Sequence, residues 1–194
     1  AELAIFERAI EDARSGLPSV VLVSGDAGIG KTTIVSESAA RAGVALHLGR
    51  STHIGGEIIP LAPLADLLRQ LRRLRPDLLS ETPQLTALGD WFAPRAASSA
   101  LEGASHGGLF VAVLELFSQL AADAAVVVGF EDLHWADMGT WDLFDFLARN
   151  LIHERVLLCC TFPPTHVAPP PAHQRACAAP PPAPAARPPP RPAA

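Results

Sequence analysis

The sequence predicts an α/β fold in which a parallel sheet carries helices on both faces, in three layers. Short apolar runs recur along the chain and resemble buried parallel strands, because each is too short to form a helix of its own. Amphipathic segments with helical spacing separate these runs, which is the alternation of a doubly wound sheet. A glycine-rich loop joins the first run to the next helical segment.

The N-terminal elements follow from periodicity and from breaking residues. Residues 2–14 place apolar side chains on one stripe, which predicts an amphipathic helix. The segment Gly16-Leu17-Pro18 breaks this helix, and a first strand follows at residues 19–24. A helix at residues 33–41 and a second strand at residues 44–48 follow the glycine-rich loop.

The middle of the chain is mainly helical. Residues 55–63 contain glycines and prolines and predict a loop, and leucines at helical spacing predict a helix at residues 61–74. Residues 76–105 are mixed and rich in turn residues, so no element is assigned to them. Residues 109–122 again have the pattern of an amphipathic helix.

Two further strands complete the predicted sheet. The apolar run at residues 125–130 has the character of a buried parallel strand. Thr140 is a candidate cap for a helix that ends near Asn150, and residues 156–161 form the last strand. The sequence therefore predicts one α/β domain at residues 1–162, with a sheet that is incomplete at its C-terminal part.

The pattern changes abruptly at Pro163. Thirteen of the 32 residues in segment 163–194 are proline and ten are alanine, so we expect a disordered or polyproline-like tail. Two origins of this tail stay open, a natural proline-rich segment and an out-of-frame reading of a GC-rich gene. Cys177, His166 and His173 lie in it, but their spacing matches no zinc pattern.

Composition excludes several functional classes. Without the three tail arginines, the formal charge of −5 becomes −8, and so acidic a body argues against a broad nucleic-acid surface. No signal peptide or membrane span is visible. The adjacent Cys159 and Cys160 lie in an apolar strand, where they should point to opposite faces and pack in a reducing environment. We expect a cytoplasmic protein.

The glycine-rich loop is a complete G-x-x-x-x-G-K-[ST] phosphate-binding motif between a strand and a helix. Its glycines let backbone N–H groups point at an anion, and the following helix adds its positive end. Lys31 supplies a charge for the β- and γ-phosphates, and the Thr32 hydroxyl is a candidate Mg²⁺ ligand. The predicted nucleotide-binding residues are Gly25, Asp26, Ala27, Gly28, Ile29, Gly30, Lys31, Thr32 and Thr33.

A second half of the site follows the strand at residues 125–130. Glu131 and Asp132 come directly after it, at the sheet edge where doubly wound folds bind ligands. If this strand lies near the first, both carboxylates face the phosphates held by Lys31 and Thr32. We favour Glu131 at the Mg²⁺ position and Asp132 as the base that activates water, with the reverse assignment also open.

These motifs resemble one family. The segment from Glu131 to Asp137 reads Glu-Asp-Leu-His-Trp-Ala-Asp, and with the upstream loop it looks like the ATPase module of bacterial STAND-class regulators, specifically large LuxR-type transcriptional regulators. Similar domains are grouped as AAA-type or origin-recognition-like ATPases. The Gly49-Arg50 pair fits as well. The resemblance covers residues 2–161.

The resemblance implies a slow nucleotide switch. It implies that bound ADP or ATP sets whether the parent protein self-associates, and that a C-terminal helix-turn-helix domain absent from this chain binds promoters. It also implies a truncated module, because the Gly-Arg-Glu stretch expected just before Glu2 and the lid and sensor domains are missing.

One departure from the resembling family bears on activity. Those domains carry an arginine that senses the γ-phosphate after the aromatic residue that follows the last strand. Here Pro163 follows Phe162, and proline offers neither charge nor donor.

Two other functions stay open beside ATP binding with hydrolysis. The first is a module that binds nucleotide without turnover. The second is a P-loop phosphotransferase, which would need an acceptor pocket and a lid of arginines that the chain after Pro163 does not offer.

Overall fold

The computed structural model describes residues 2–54, 57–92 and 106–164. Eight of its elements come before residue 92 and four after residue 105. In chain order they are α1 (Glu2–Arg14), β1 (Ser19–Ser24), α2 (Lys31–Ala42), β2 (Ala45–Arg50), β3 (His53–Ile54), β4 (Glu57–Ile58), α3 (Ala62–Leu74), α4 (Pro83–Trp91), α5 (His106–Leu120), β5 (Val126–Glu131), α6 (Met138–Asn150) and β6 (Val156–Phe162).

Four strands form a parallel sheet in the order β1-β6-β5-β2. All six residues of β5 are buried, and β6 is buried through Thr161, as expected for strands covered on both faces. The predicted α/β fold is therefore confirmed. The strand before the phosphate loop and the strand before the acidic pair are not neighbours, because β6 lies between them.

Helices cover both faces of this sheet around two separate apolar cores. Helices α1 and α2 enclose the smaller core on one face, and α3 to α6 enclose the larger core on the other. Cys159 belongs to the smaller core and Cys160 to the larger, so the prediction that these neighbours face opposite sides is confirmed. Burial raises the pKa of Cys159 to about 12, which keeps this thiol protonated at neutral pH.

Apart from shifts of one to three residues at the ends of elements, the local predictions differ from the structure in three places. The predicted loop at residues 55–63 contains the second strand of a short antiparallel hairpin, β3–β4. Helix α4 lies in the segment left without an assignment, and its first turn is capped by Thr82, whose Oγ1 accepts from the Leu85 N–H. Asp137, rather than the predicted Thr140, caps α6.

Other predictions lie wholly or partly outside the described residues. The segment at residues 93–105 and nearly all of the tail, residues 165–194, belong to this group, so the predicted boundary at residue 162 stays a prediction. None of the helices in the described ranges is long and apolar enough to cross a membrane.

Candidate functional site

The phosphate loop runs from the end of β1 to the start of α2. Gly28 and Gly30 have φ values of +78° and +97°, a left-handed conformation that glycine adopts without the strain of a side chain. Gly30 caps α2, so the loop turns directly into the N-terminal end of a helix of 12 residues. Lys31 Nζ donates to the carbonyl oxygens of Gly25 at 2.8 Å and Asp26 at 3.0 Å, which holds the lysine across the loop.

Glu131 connects the phosphate loop to the end of β2. The Thr32 hydroxyl donates to Glu131 Oε1, across 99 residues of sequence. Arg50, at the end of β2, donates from its Nε to Glu131 Oε2 at 2.7 Å. Glu131 is only 4% exposed, and both of its carboxylate oxygens thus accept hydrogen bonds from other side chains. Sequence reasoning assigned no role to Arg50, because only the register that pairs it with Glu131 reveals the contact.

Asp132 has a different environment from its neighbour. It adopts the left-handed backbone conformation, with φ of +53°, which is less favourable for Asp than for glycine but less costly for Asp than for most other residues. Its N–H donates at 3.0 Å to Thr161 Oγ1 on β6, which anchors the turn. Such strain is often found at functional sites where surrounding contacts maintain it.

One cavity of about 590 Å³ connects these elements. The loop and the residues after β5 and β6 line it: Ala27, Gly28, Gly30, Lys31, Thr32, Thr33, Asp132, His134, Trp135, Thr161 and Pro163. Six of the nine predicted nucleotide-binding residues therefore line the cavity. The other three, Gly25, Asp26 and Ile29, do not, and the Ile29 side chain is exposed at the loop.

The other residues in the segment from Glu131 to Asp137 have two kinds of role: some line the cavity and one stabilises the fold. His134 and Trp135 line the cavity with their ring centroids 4.9 Å apart. Asp137 accepts from the backbone N–H of Gly139 and of Leu61, each at 3.0 Å, and from the Thr140 hydroxyl. Asp137 thus fixes the start of α6 against the start of α3, a structural role that sequence reasoning missed.

The oxygen donors at the cavity fit Mg²⁺ bound together with a nucleotide. Among the described residues, no group of three or more His, Cys, Asp or Glu side chains is placed to hold a metal by itself. Mg²⁺ usually takes one or two carboxylates, waters and substrate phosphates. The contact between Thr32 and Glu131, with Asp132 on the cavity wall, offers such a partial set of hard oxygen ligands.

The parallel α/β sheet, its phosphate loop and the acidic strand end define a P-loop nucleotide-binding domain. A family model described as AAA ATPase domain matches residues 1–159, so the chain belongs to this family. Membership suggests nucleotide binding and hydrolysis, and it implies a nucleotide and usually Mg²⁺. Comparison with curated proteins finds no match.

Proposed function

We propose that this domain binds ATP and ADP with Mg²⁺, hydrolyses ATP slowly, and serves as the nucleotide switch of a LuxR-type transcriptional regulator. One observation carries the nucleotide part of the proposal. The loop hydroxyl of Thr32 and the strand-end carboxylate of Glu131 are in contact at the edge of a cavity large enough for a phosphate chain. Neither local pattern requires this contact, but a Mg²⁺-nucleotide site needs both groups close to the metal ion.

Binding is assigned to the loop. The backbone N–H groups of residues 25–32 and the N-terminal end of α2 would receive the phosphates, as helix N-termini do for anions. Lys31, which now bonds two loop carbonyls, would donate to the β- and γ-phosphates instead. Exchange of neutral carbonyl partners for phosphate oxygens gives this lysine stronger hydrogen bonds, because donor and acceptor are then both charged.

Hydrolysis is assigned to the strand-end acids. Mg²⁺, when bound, neutralises phosphate charge and orients the transferred group. Thr32 and Glu131 would hold it, because their oxygens are already adjacent. Asp132 would orient the attacking water and accept its proton at the carboxylate. Its anchored, strained turn keeps this residue on the cavity wall.

A binding module without turnover is the second candidate. Pro163 lines the cavity at the position where the resembling regulators carry an arginine that senses the γ-phosphate. An arginine at developing negative charge contributes strongly to phosphoryl transfer, and proline cannot replace it. Proline at this position therefore favours slow over rapid ATP hydrolysis. It is also compatible with a module that does not hydrolyse ATP.

The regulatory role rests on the resemblance of the loop and of the segment from Glu131 to Asp137 to LuxR-type regulators. The parent protein would self-associate according to the bound nucleotide and bind DNA through a helix-turn-helix domain outside this sequence. It would act in the cytoplasm.

Binding and turnover should be measured together on the full chain with Lys31→Ala and Asp132→Asn. We expect Lys31→Ala to weaken ATP binding about 100-fold, because charge-assisted hydrogen bonds are lost. Asp132→Asn should bind ATP like the wild type and release less phosphate. Unchanged ATP affinity in Lys31→Ala would refute the site. Phosphate release by the wild type no faster than by Lys31→Ala would select the module without turnover.

A further inference from the structure

Arg50 is held at the end of β2 directly opposite Glu131. The two residues are partners in the parallel register of β2 and β5, and the Ser51 N–H donates to the Glu131 carbonyl oxygen at 3.1 Å. The roles assigned above to Thr32, Glu131 and Asp132 do not use this arginine, although it binds one oxygen of a carboxylate at the site.

The backbone that carries Arg50 is fixed by its neighbours. A Cβ atom at Gly49 would lie 2.0 Å from the Pro63 carbonyl oxygen, so the first turn of α3 packs directly on β2 at this point. The Arg50 N–H also contacts Asp66 Oδ2 at 3.4 Å on α3. Although its side chain is 69% exposed, Arg50 extends from a rigid position at the sheet edge.

The charge of Arg50 compensates a buried acid. The Glu131 side chain is 5% exposed, and a carboxylate so far removed from water needs hydrogen bonds and an opposite charge. Thr32 supplies a neutral donor to one oxygen and Arg50 supplies a cation to the other. The hydrogen bond and charge of Glu131 raise the pKa of the Arg50 guanidinium, with smaller contributions from Asp66 and Asp132.

We propose that Arg50 is a positioning residue that orients Glu131 and, by neutralising part of its charge, weakens divalent-cation binding at the nucleotide site. The proposal rests on the Mg²⁺-nucleotide function proposed above. Arg50 and a divalent cation stabilise the same carboxylate. Each therefore weakens the interaction of the other with Glu131. When a cation takes up the charge of Glu131, the attraction between the guanidinium and this carboxylate weakens.

Mn²⁺ binding to the ADP-saturated full chain tests this coupling, with free Mn²⁺ measured by electron paramagnetic resonance. We expect Arg50→Gln to bind Mn²⁺ at least about fivefold more tightly than the wild type, the lower end of usual coupling energies. Arg50→Lys, which retains the charge, should stay closer to the wild type. Unchanged or weaker Mn²⁺ binding by folded Arg50→Gln would overturn the proposal.

Arg41→Gln is the matched control. Arg41 Nε pairs with Glu37 Oε1 at 2.8 Å, nearly the distance between Arg50 and Glu131, but on an exposed face of α2. It lies ten residues along α2 from Lys31, about 15 Å by helical rise. Arg41→Gln should therefore leave the Mn²⁺ affinity unaltered. If Arg41→Gln increased the Mn²⁺ affinity as much as Arg50→Gln, the proposal would be overturned, because net charge alone would then explain the effect.

A measurement on the wild-type chain does not depend on whether a variant folds. The Arg50 Nε–H resonance should move in a nitrogen–proton correlation spectrum when Mg²⁺ is added to the ADP complex, and ADP alone should move it much less. An unchanged resonance would overturn the proposal. If ADP fails to bind the wild type, the proposed function fails with it, whereas bound ADP with Mn²⁺ affinity indifferent to Arg50→Gln refutes the Arg50 proposal alone.

Discussion

The two halves of the candidate site are built in different ways. The phosphate loop is one contiguous segment whose shape depends on its own backbone, with Gly28 and Gly30 in left-handed conformations. The acidic half is assembled from three strands, because Glu131 at the end of β5 needs Arg50 from β2, and Asp132 needs Thr161 from β6. With the roles proposed above, nucleotide binding would be encoded locally, whereas hydrolysis would depend on how the sheet is assembled.

The largest expected effect is on the loop half. Gly30→Val places a β-branched side chain at φ of +97°, which should distort the loop and weaken ADP binding by about 100-fold or more. Calorimetric titration with ADP measures this.

Gly43→Val is the control for that change. Gly43 has φ of +65° at the end of α2, with open space around it, so the same strain arises away from the loop. It should lower stability and leave ADP affinity unchanged. A similar loss of affinity in both variants would contradict the assignment of binding to the loop.

The second effect concerns the scaffold of the acidic half. Asp137→Ala removes the cap of α6 and the acceptor for the Leu61 N–H, so the free energy of unfolding should fall by about 2 kcal/mol. Urea unfolding measures it. Glu37→Ala, which breaks an exposed ion pair, should change stability by less than about 0.5 kcal/mol. Equal losses in the two variants would show that Asp137 does not join α6 to α3.

A smaller effect is expected at the anchor of Asp132. Thr161→Val conserves shape and removes the acceptor for the Asp132 N–H, which should cost about 1 kcal/mol of stability. Phosphate release should fall while ADP affinity stays at the wild-type value, because the loop is intact. Thr161→Ser retains the hydroxyl and should keep both the stability and the phosphate release near the wild-type values. Loss of ADP affinity in Thr161→Val would show that the two halves are not separable in this way.

The smallest effect is a pH dependence of the sheet away from both halves. Burial lowers the pKa of His47 below its usual 6.5, and its Nδ1 is among the buried atoms that have no hydrogen-bond partner in the described part of the chain. The unfolded chain therefore binds more protons as the pH falls through 6.5, and stability decreases toward acid.

The expected loss between pH 7.5 and 5.5 is about 1 kcal/mol or less. His47→Leu should remove that part of the dependence, as measured by urea unfolding at both pH values. An unaltered pH profile in this variant would contradict the assignment to His47.

The sequence predicts the locally encoded features well. β1 has the predicted bounds, and the loop and the acidic pair lie at the expected strand ends, because a short apolar run that ends in glycines or acids is a local signal of a strand and its end. The insertion of β6 between β1 and β5 could not be predicted, since strand order depends on long-range packing. For the same reason, the contacts of Arg50 and Asp137 could not be predicted. The Arg50 contact depends on the register of two strands, and Leu61, the partner of Asp137, is 76 residues away.

The loop after β1 is proposed above to hold a phosphate chain. Calorimetric affinities for AMP, ADP and ATP, each with Mg²⁺, test it most directly. Lys31 and the loop N–H groups are assigned to the β- and γ-phosphates, so AMP should bind about 100-fold more weakly than ADP. Equal affinities for AMP and ADP would show that contacts to the nucleoside, and not to the phosphates at the loop, dominate binding, and would refute this role of the loop.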